Sequence, residues 1–314
     1  MKQHKFISNH KKTTIVLITI FIIIAAIAIV EKLIEPMGYF RPDYDKTDIT
    51  GILEKEVLSD DDYKELFYQT GLGKTAIDNI LKNDDDYKEL LSQTGLGKTA
   101  IDAITQNEVF GKEKILEFQK NFFMECNISR EKSAVIVNHE SIVDEEGKII
   151  YGFDLAPYEN GYVLVTKATH SLGWRHGHAG IVTDAENQET LEAVLLGKDS
   201  MLQNINKWRS FPSFMMLKLK DASQEDLDEI AEFAKNNMLG IPYGLSVGLT
   251  SKKNPEPNNI KTTQCAHIVW YPFMQFGYDI DSDGTWLVTP KDIANSELFE
   301  IVQIYGVDPT EIWK

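Results

Sequence analysis

From about Ser133 the sequence breaks into short runs rich in β-branched and aromatic residues. "SAVIVNHE", "KIIYGFDL", "GYVLVTKA", "HAGIVTD", "TLEAVLL" and "FMMLKLK" are each long enough for one strand and too short for a stable helix. One long helical pattern interrupts them, "SQEDLDEIAEFAKNNM", with Ser223 placed to cap it and apolar residues at 227, 230, 231, 233 and 234. A second, "CAHIVWYPFMQFG", comes after it. Strands with embedded helices predict an α+β domain over 133–314.

Upstream, Asp60–Asn83 and Asp84–Asn107 are one 24-residue unit written twice, differing at five positions. Each copy carries "QTGLGKTAID", and Gly-Lys-Thr after a glycine-rich turn invites a nucleotide reading. A P-loop needs a glycine separated by four residues from that Gly-Lys-Thr, and Tyr68 and Ser92 stand there instead. No apolar strand leads into either copy, so nucleotide binding is not expected. Helix-hairpin-helix modules look similar around "GLGKTA", but they have one more residue before the alanine, and the "DDD" run would repel phosphate. Each unit reads as helix, turn, helix. Its leading aspartates cap the first helix, and Gly71 or Gly95 ends that helix in the left-handed conformation. Ala76, Ile77 and Ile80, with Ala100, Ile101 and Ile104, make an apolar stripe. An amphipathic helix over "KEKILEFQKNFFMEC" closes a small all-α repeat region, 60–128, expected to act as a spacer or to dock a protein partner.

Thr13–Val30 is an uncharged 18-residue run preceded by Lys2, Lys5, Lys11 and Lys12. That predicts a transmembrane anchor at 13–30, a cytoplasmic tail at 1–12, a linker at 31–59 and an extracytoplasmic remainder. The expected localisation is therefore a single-pass cell-membrane protein, or a secreted one if Ala26-Ile27-Ala28 is cut by a signal peptidase. A formal charge of −16 argues against nucleic acid as a partner. Two cysteines, Cys126 and Cys265, are too few for a disulfide framework. Cys126 is expected to be reduced and packed in its helix.

Chemistry concentrates around "TTQCAHIVW". A cap from Thr262 or Thr263 would put Cys265 in the first turn of a helix, where free N–H groups and the dipole favour a thiolate and could hold an oxyanion. His267 lies about 200° around that helix and faces away. In "WRHGHAGIVTD", a strand beginning at His178 points His178, Gly180 and Val182 to one face, and the glycine leaves space beside the imidazole. His176 shares that parity but precedes the apolar run. Glu192, in "TLEAV", is an acid inside an apolar strand and needs a partner.

The segments "GYVLVTKATHSLGWRHGHAGIVTD", "LEAV", "LGIPYG", "QCAHIVW" and "VTPKDIANS" resemble the circularly permuted papain-like hydrolases of the NlpC/P60 superfamily, the YiiX/YebB-like branch. The likeness covers residues 150–300, and its mark is the order, His before Cys, shared with lecithin:retinol acyltransferase-like proteins. It implies Cys265 as nucleophile, His178 as base, Glu192 as the polar third member and Tyr243 as a supporting residue. "ENGYVLV" departs from the family's usual opening, with Tyr162 where an acid is common. The resemblance thus implies a cysteine peptidase or amidase that needs no cofactor and acts on a peptide or amide, with peptidoglycan stem peptide the leading substrate. The alternatives are acyl transfer or hydrolysis on lipid, or a non-catalytic binding module.

Two metal readings compete. His170, His176 and His178 with Glu192 could hold zinc, but this would leave Cys265 idle. "DIDSDG", Asp279–Gly284, resembles the start of a calcium loop, but Pro290 stands where its bidentate glutamate belongs, so a turn is expected.

Overall fold

The computed structural model describes residues 39–81, 111–132, 137–171, 174–245, 247–249 and 251–313, with isolated positions between 16 and 29. The helices are α1 (Thr50–Leu53), α2 (Asp60–Thr70), α3 (Lys74–Leu81), α4 (Gly111–Phe122), α5 (Gln224–Met238), α6 (His267–Gln275) and α7 (Pro290–Ala294). The strands are β1 (Asn127–Lys132), β2 (Val137–Val143), β3 (Val163–Thr166), β4 (Thr169–Ser171), β5 (His178–Asp184), β6 (Glu189–Glu192), β7 (Met201–Asn204), β8 (Phe214–Leu219) and β9 (Phe299–Tyr305). The fold is α+β.

Six strands form an antiparallel sheet in the order β7-β6-β5-β3-β8-β9, and β1-β2-β4 form a smaller one. The interior strands read as near-continuous apolar runs because both faces are covered; β5 is buried at every residue but Asp184. Helices α5 and α6 pack on each other and on β5. Ser223 caps α5 through a reciprocal pair with Asp226, and Leu227, Ile230, Ala231 and Ala234 form its buried stripe.

The first copy of the repeat is not a detached stalk. Ser59, rather than an aspartate of the leading run, caps α2, and Asp62 returns the bond. Gly71 ends the helix in the left-handed region, as the sequence predicts. The loop then seats on the outer edge of β9. Ile304 N–H donates to Gly71 O (2.8 Å), and Gly73 N–H donates to Val302 O (2.8 Å). A Cβ at Gly73 would lie 1.7 Å from Ile301 O, so only glycine permits this approach. Leu66, Leu72 and Ile77 are wholly buried in the core shared with the sheet. Each such burial contributes about 1.5–3 kcal/mol before entropy is counted. The glycine-rich loop that suggests a phosphate cradle is thus a contact with a strand edge. The second copy, 84–107, lies outside the described residues.

The membrane anchor requires correction. Among the described residues no helix is long and apolar enough to cross a membrane, and much of 13–30 lies outside those residues. An 18-residue run sits at the lower limit of the roughly 20 residues that a bilayer core demands, so the apolar run alone is a weak warrant. The transmembrane helix is withdrawn from the fold, and with it the single-pass cell-membrane localisation.

Candidate active site

His178 opens β5 and Glu192 closes β6. The antiparallel register Ile181↔Leu191 and Val182↔Thr190 brings these two residues to the same end of the sheet. Cys265 arrives from elsewhere in the chain. The segment before it is held by Thr263 N–H donating to Pro242 O (3.0 Å) and Gly244 N–H donating to Thr263 O (2.8 Å), which lays Tyr243 beside Thr263. Cys265 sits in the turn that leads into α6. The expected threonine cap is absent there. Gln264 Oε1 accepts from Ala266 N–H (2.8 Å), while Thr263 Oγ1 is engaged with His267 Nδ1 (2.9 Å).

Glu192 is fully buried and surrounded by donors. Its Oε2 lies 2.6 Å from His178 Nε2 and 2.6 Å from Lys207 Nζ. Its Oε1 accepts from Thr190 Oγ1 (2.7 Å) and Trp208 Nε1 (3.1 Å). Burial alone would raise its pKa, but the Lys207 charge and the His178 hydrogen bond win and hold it at about 2. Glu192 is therefore a fixed anion. Trp208 also stacks on the His178 ring, with centroids 5.4 Å apart and planes at 14°. Gly180 makes room for this arrangement: a Cβ there would lie 2.9 Å from Glu192 Cγ and 3.1 Å from Trp208. The space the sequence reserves beside the imidazole is filled by the carboxylate and the indole.

Cys265 lies near enough to His178 to act on its charge. With Nε2 engaged by Glu192, Nδ1 is the ring nitrogen left for the sulfur. Burial works against a charged imidazole, yet hydrogen bonds to Cys265 and Glu192 raise His178 from 6.5 to about 9. The ring is thus cationic at neutral pH. The thiol also makes a long contact with Gln264 Oε1 (3.6 Å). Cys265 and Tyr243 both line a cleft of about 760 Å³. Burial and the neighbouring sulfur push the Tyr243 hydroxyl upward, so it keeps its proton.

The other histidines have different tasks. His176 is held between Ser171 Oγ (2.9 Å) and Gly177 O (2.7 Å). His267 bridges Thr263 and Lys253 O (2.8 Å), and burial lowers its pKa to about 4. Among the described residues His170, His176, His178 and Glu192 do not converge on a metal-sized point; the acidic group that does gather is Asp281, Asp283 and Asp292. There Lys253 Nζ pairs with Asp281 and donates to Thr285 O (2.8 Å), while Asp292 is spent capping α7. Asp279 accepts from Trp270 Nε1 (2.7 Å), so "DIDSDG" is a hydrogen-bonded turn in which only two of its aspartates face that group. Cys126 is a free thiol, as is Cys265. It lies between α4 and β1 rather than within a helix, with Sγ 3.0 Å from Tyr305 Oη.

Four neighbours of the site carry weak or no sequence signal: Thr190, Lys207, Trp208 and Gln264. Thr190 shares the face of Glu192, and strand alternation is the signal that marks it. Lys207 and Trp208 come from a 3₁₀ turn, Ile205–Ser210, whose placement depends on the tertiary fold.

No family model and no curated protein matches this chain. Among solved structures, the metalloprotein yiiX from Escherichia coli O157:H7 aligns with a TM-score of 0.35 at 14% identity, covering 46% of this chain and 96% of that one. This likeness in fold is distant, and no functional argument rests on it.

Proposed function

We propose that this chain is a cysteine hydrolase of the permuted papain-like kind, with Cys265 as nucleophile, His178 as base and acid, and Glu192 as the group that orients and charges the imidazole. One observation carries the reading: a buried carboxylate holds His178, the thiol of Cys265 bears on that imidazole's charge, and the thiol borders a cleft. An imidazolium beside a sulfur favours the thiolate.

The thiolate attacks the substrate carbonyl carbon. The oxyanion is received by the Cys265 N–H at the head of α6, because the Ala266 N–H is already taken by Gln264. Tyr243, protonated and on the cleft wall, is the second donor. His178 passes its proton to the departing amine or alcohol as the carbon–heteroatom bond breaks, leaving a thioester on Cys265. Water, deprotonated by His178, then releases the acid and restores the thiol. Tyr243 as a donor extends the supporting role that the resemblance implies.

Amides and esters both suit this chemistry. Cell-wall peptides belong to the amide arm, but the membrane anchorage that favoured them is withdrawn. The test is competitive alkylation with iodoacetamide at neutral pH, with Cys126 as the internal control, followed by product analysis by mass spectrometry on wall fragments and simple acyl esters. Cys265 should alkylate at least tenfold faster than Cys126, and Cys265→Ala should abolish turnover. Turnover that survives Cys265→Ala would end the proposal.

A further inference from the structure

The seat that the first repeat occupies on β9 is built from residues the chain carries twice. Beyond the two glycine bonds, Leu72 pairs with Gln303, and Thr75 Oγ1 donates to Glu300 Oε1 (2.5 Å). Gln69 Oε1 accepts from Thr47 N–H (2.9 Å) and Gln119 Nε2 (2.9 Å). Leu66, Ala76 and Ile77 are fully buried beneath the loop. In the second copy the same residue types recur 24 positions on: Gln93, Gly95, Leu96, Gly97 and Thr99 for the loop, with Leu90, Ala100 and Ile101 for the apolar side. Even the cap is matched. Ser59 caps α2 in a reciprocal pair with Asp62, and Asn83, another strong capping residue, precedes the second copy with Asp86 in the place of Asp62. None of the five differences touches these contacts. Two of them, Leu91 for Phe67 and Thr105 for Leu81, replace side chains packed on the core, so the first copy is the better fit.

The path of the chain permits an exchange. Helix α4 starts beside the end of α3: a Cβ at Gly111 would lie 2.3 Å from Ile80 O. With 60–83 seated, residues 82–110 join those two helices. With 84–107 seated, residues 106–110 would join them, an ordinary length for a helix-to-helix connection, and the extra unit would lie between α1 and the seat. The loop then passes from one side of the seat to the other at nearly constant length, so closure entropy scarcely opposes the change.

We propose that the edge of β9 is an exchangeable seat. Residues 84–107 take it when residues 60–83 leave, with Gly95 and Gly97 bonding Ile304 and Val302 as Gly71 and Gly73 do. A copy on the same chain competes at an effective concentration of about a millimolar, which favours it over a copy from a neighbouring chain. The duplication thus supplies a replacement plug, and the first copy can leave without uncovering the sheet. The exchange is independent of the chemistry at Cys265.

The experiment is amide hydrogen exchange on the full chain, read by mass spectrometry. Peptides that begin before Gln69 or Gln93 differ in sequence and so report each copy separately. Leu72→Asp puts a charge at a fully buried position and forces the first copy out. Protection should pass from 67–78 to 91–102, while Ile304 stays protected to within about tenfold of wild type. Leu96→Asp alone should leave the first copy protected. The two substitutions together should speed exchange at Ile304 by about a hundredfold or more, or abolish the cooperative melt that Leu72→Asp alone retains. A Leu72→Asp chain that fails to fold, or whose 91–102 segment gains no protection, overturns the exchange. Unchanged protection at Ile304 in the double variant overturns it too. So does a doubled mass in solution for Leu72→Asp, which would put a neighbouring chain's copy in the seat.

Discussion

His178 Nε2 and Glu192 Oε2 lie 2.6 Å apart, and the same carboxylate oxygen is 2.6 Å from Lys207 Nζ. One buried anion therefore serves two cations. Lys207 keeps Glu192 ionised, and Glu192 in turn keeps the imidazole charged and aimed.

Glu192→Gln tests the first link. The amide preserves shape but removes the charge that holds the proton on His178 and faces Lys207. Turnover should fall by about 10²–10⁴, the usual worth of a positioned acid–base group. Stability should fall too, because a buried pair broken on one side costs about 3–5 kcal/mol. Denaturant melts alongside kinetics check both, and turnover within twofold of wild type would exclude Glu192 from the mechanism.

The pH profile tests the second. His178 binds its proton more tightly folded, at about 9, than its ordinary 6.5. Its contribution to stability is complete below about 6.5 and disappears as the pH rises through about 9. Turnover should track it, with an alkaline limb near 9 as the ring loses the proton owed to the leaving group. Glu192, depressed to about 2, contributes fully above its ordinary 4.5 and loses that contribution only as the pH falls through about 2. A single alkaline limb near 6.5 in the rate profile would show that the pairing does not operate.

Lys207→Met should act indirectly. It leaves His178 and Cys265 untouched but removes the Lys207 charge that helps to keep Glu192 ionised. The expected outcome is a loss of about tenfold in kcat with little change in KM, together with an acid limb moved upward. An unchanged profile would make Lys207 a surface ion-pair partner only.

Gly180→Ala probes packing beneath the ring. The new methyl would meet Glu192 Cγ at 2.9 Å and Trp208 at 3.1 Å. Overpacking of this kind costs about 1–3 kcal/mol. It should also displace the carboxylate, so turnover should drop more than thermal stability. Equal small losses in both would argue for easy accommodation.

Much of this arrangement is legible in the residues alone. The short, nearly continuous apolar run "HAGIVTD" marks the full span of β5, and an acid in "TLEAV" announces a buried partner. Cys265 stands out by its neighbours. The cap on its helix differs from expectation because a side chain adjacent to the turn, Gln264, outcompetes the threonines, and Thr263 is drawn to His267. Lys207 and Trp208 are invisible in the sequence because a short 3₁₀ turn places them, and no periodicity marks which face it presents. The anchor is withdrawn on a different ground: among the described residues no helix is long and apolar enough to cross a membrane, and an 18-residue run is near the lower limit for one. The zinc alternative falls to direction, since neighbouring histidines on one segment turn to different partners.

Gly73→Ala would test the docking of the first repeat. Since the added carbon lies 1.7 Å from Ile301 O, the loop must lift from β9, and a loss of about 3 kcal/mol or more is expected. Thermal melts and limited proteolysis near residue 73 give the measurement, and an unchanged melting temperature would contradict the contact.

That contact has a consequence for the behaviour of the molecule in crowded solution. β9 is the terminal strand of the larger sheet, and an open terminal strand recruits other strands into fibrils. Gly71 and Gly73 occupy its amides and carbonyls at Val302 and Ile304. The glycine loop of the first copy thus leaves less of that edge open to a foreign strand.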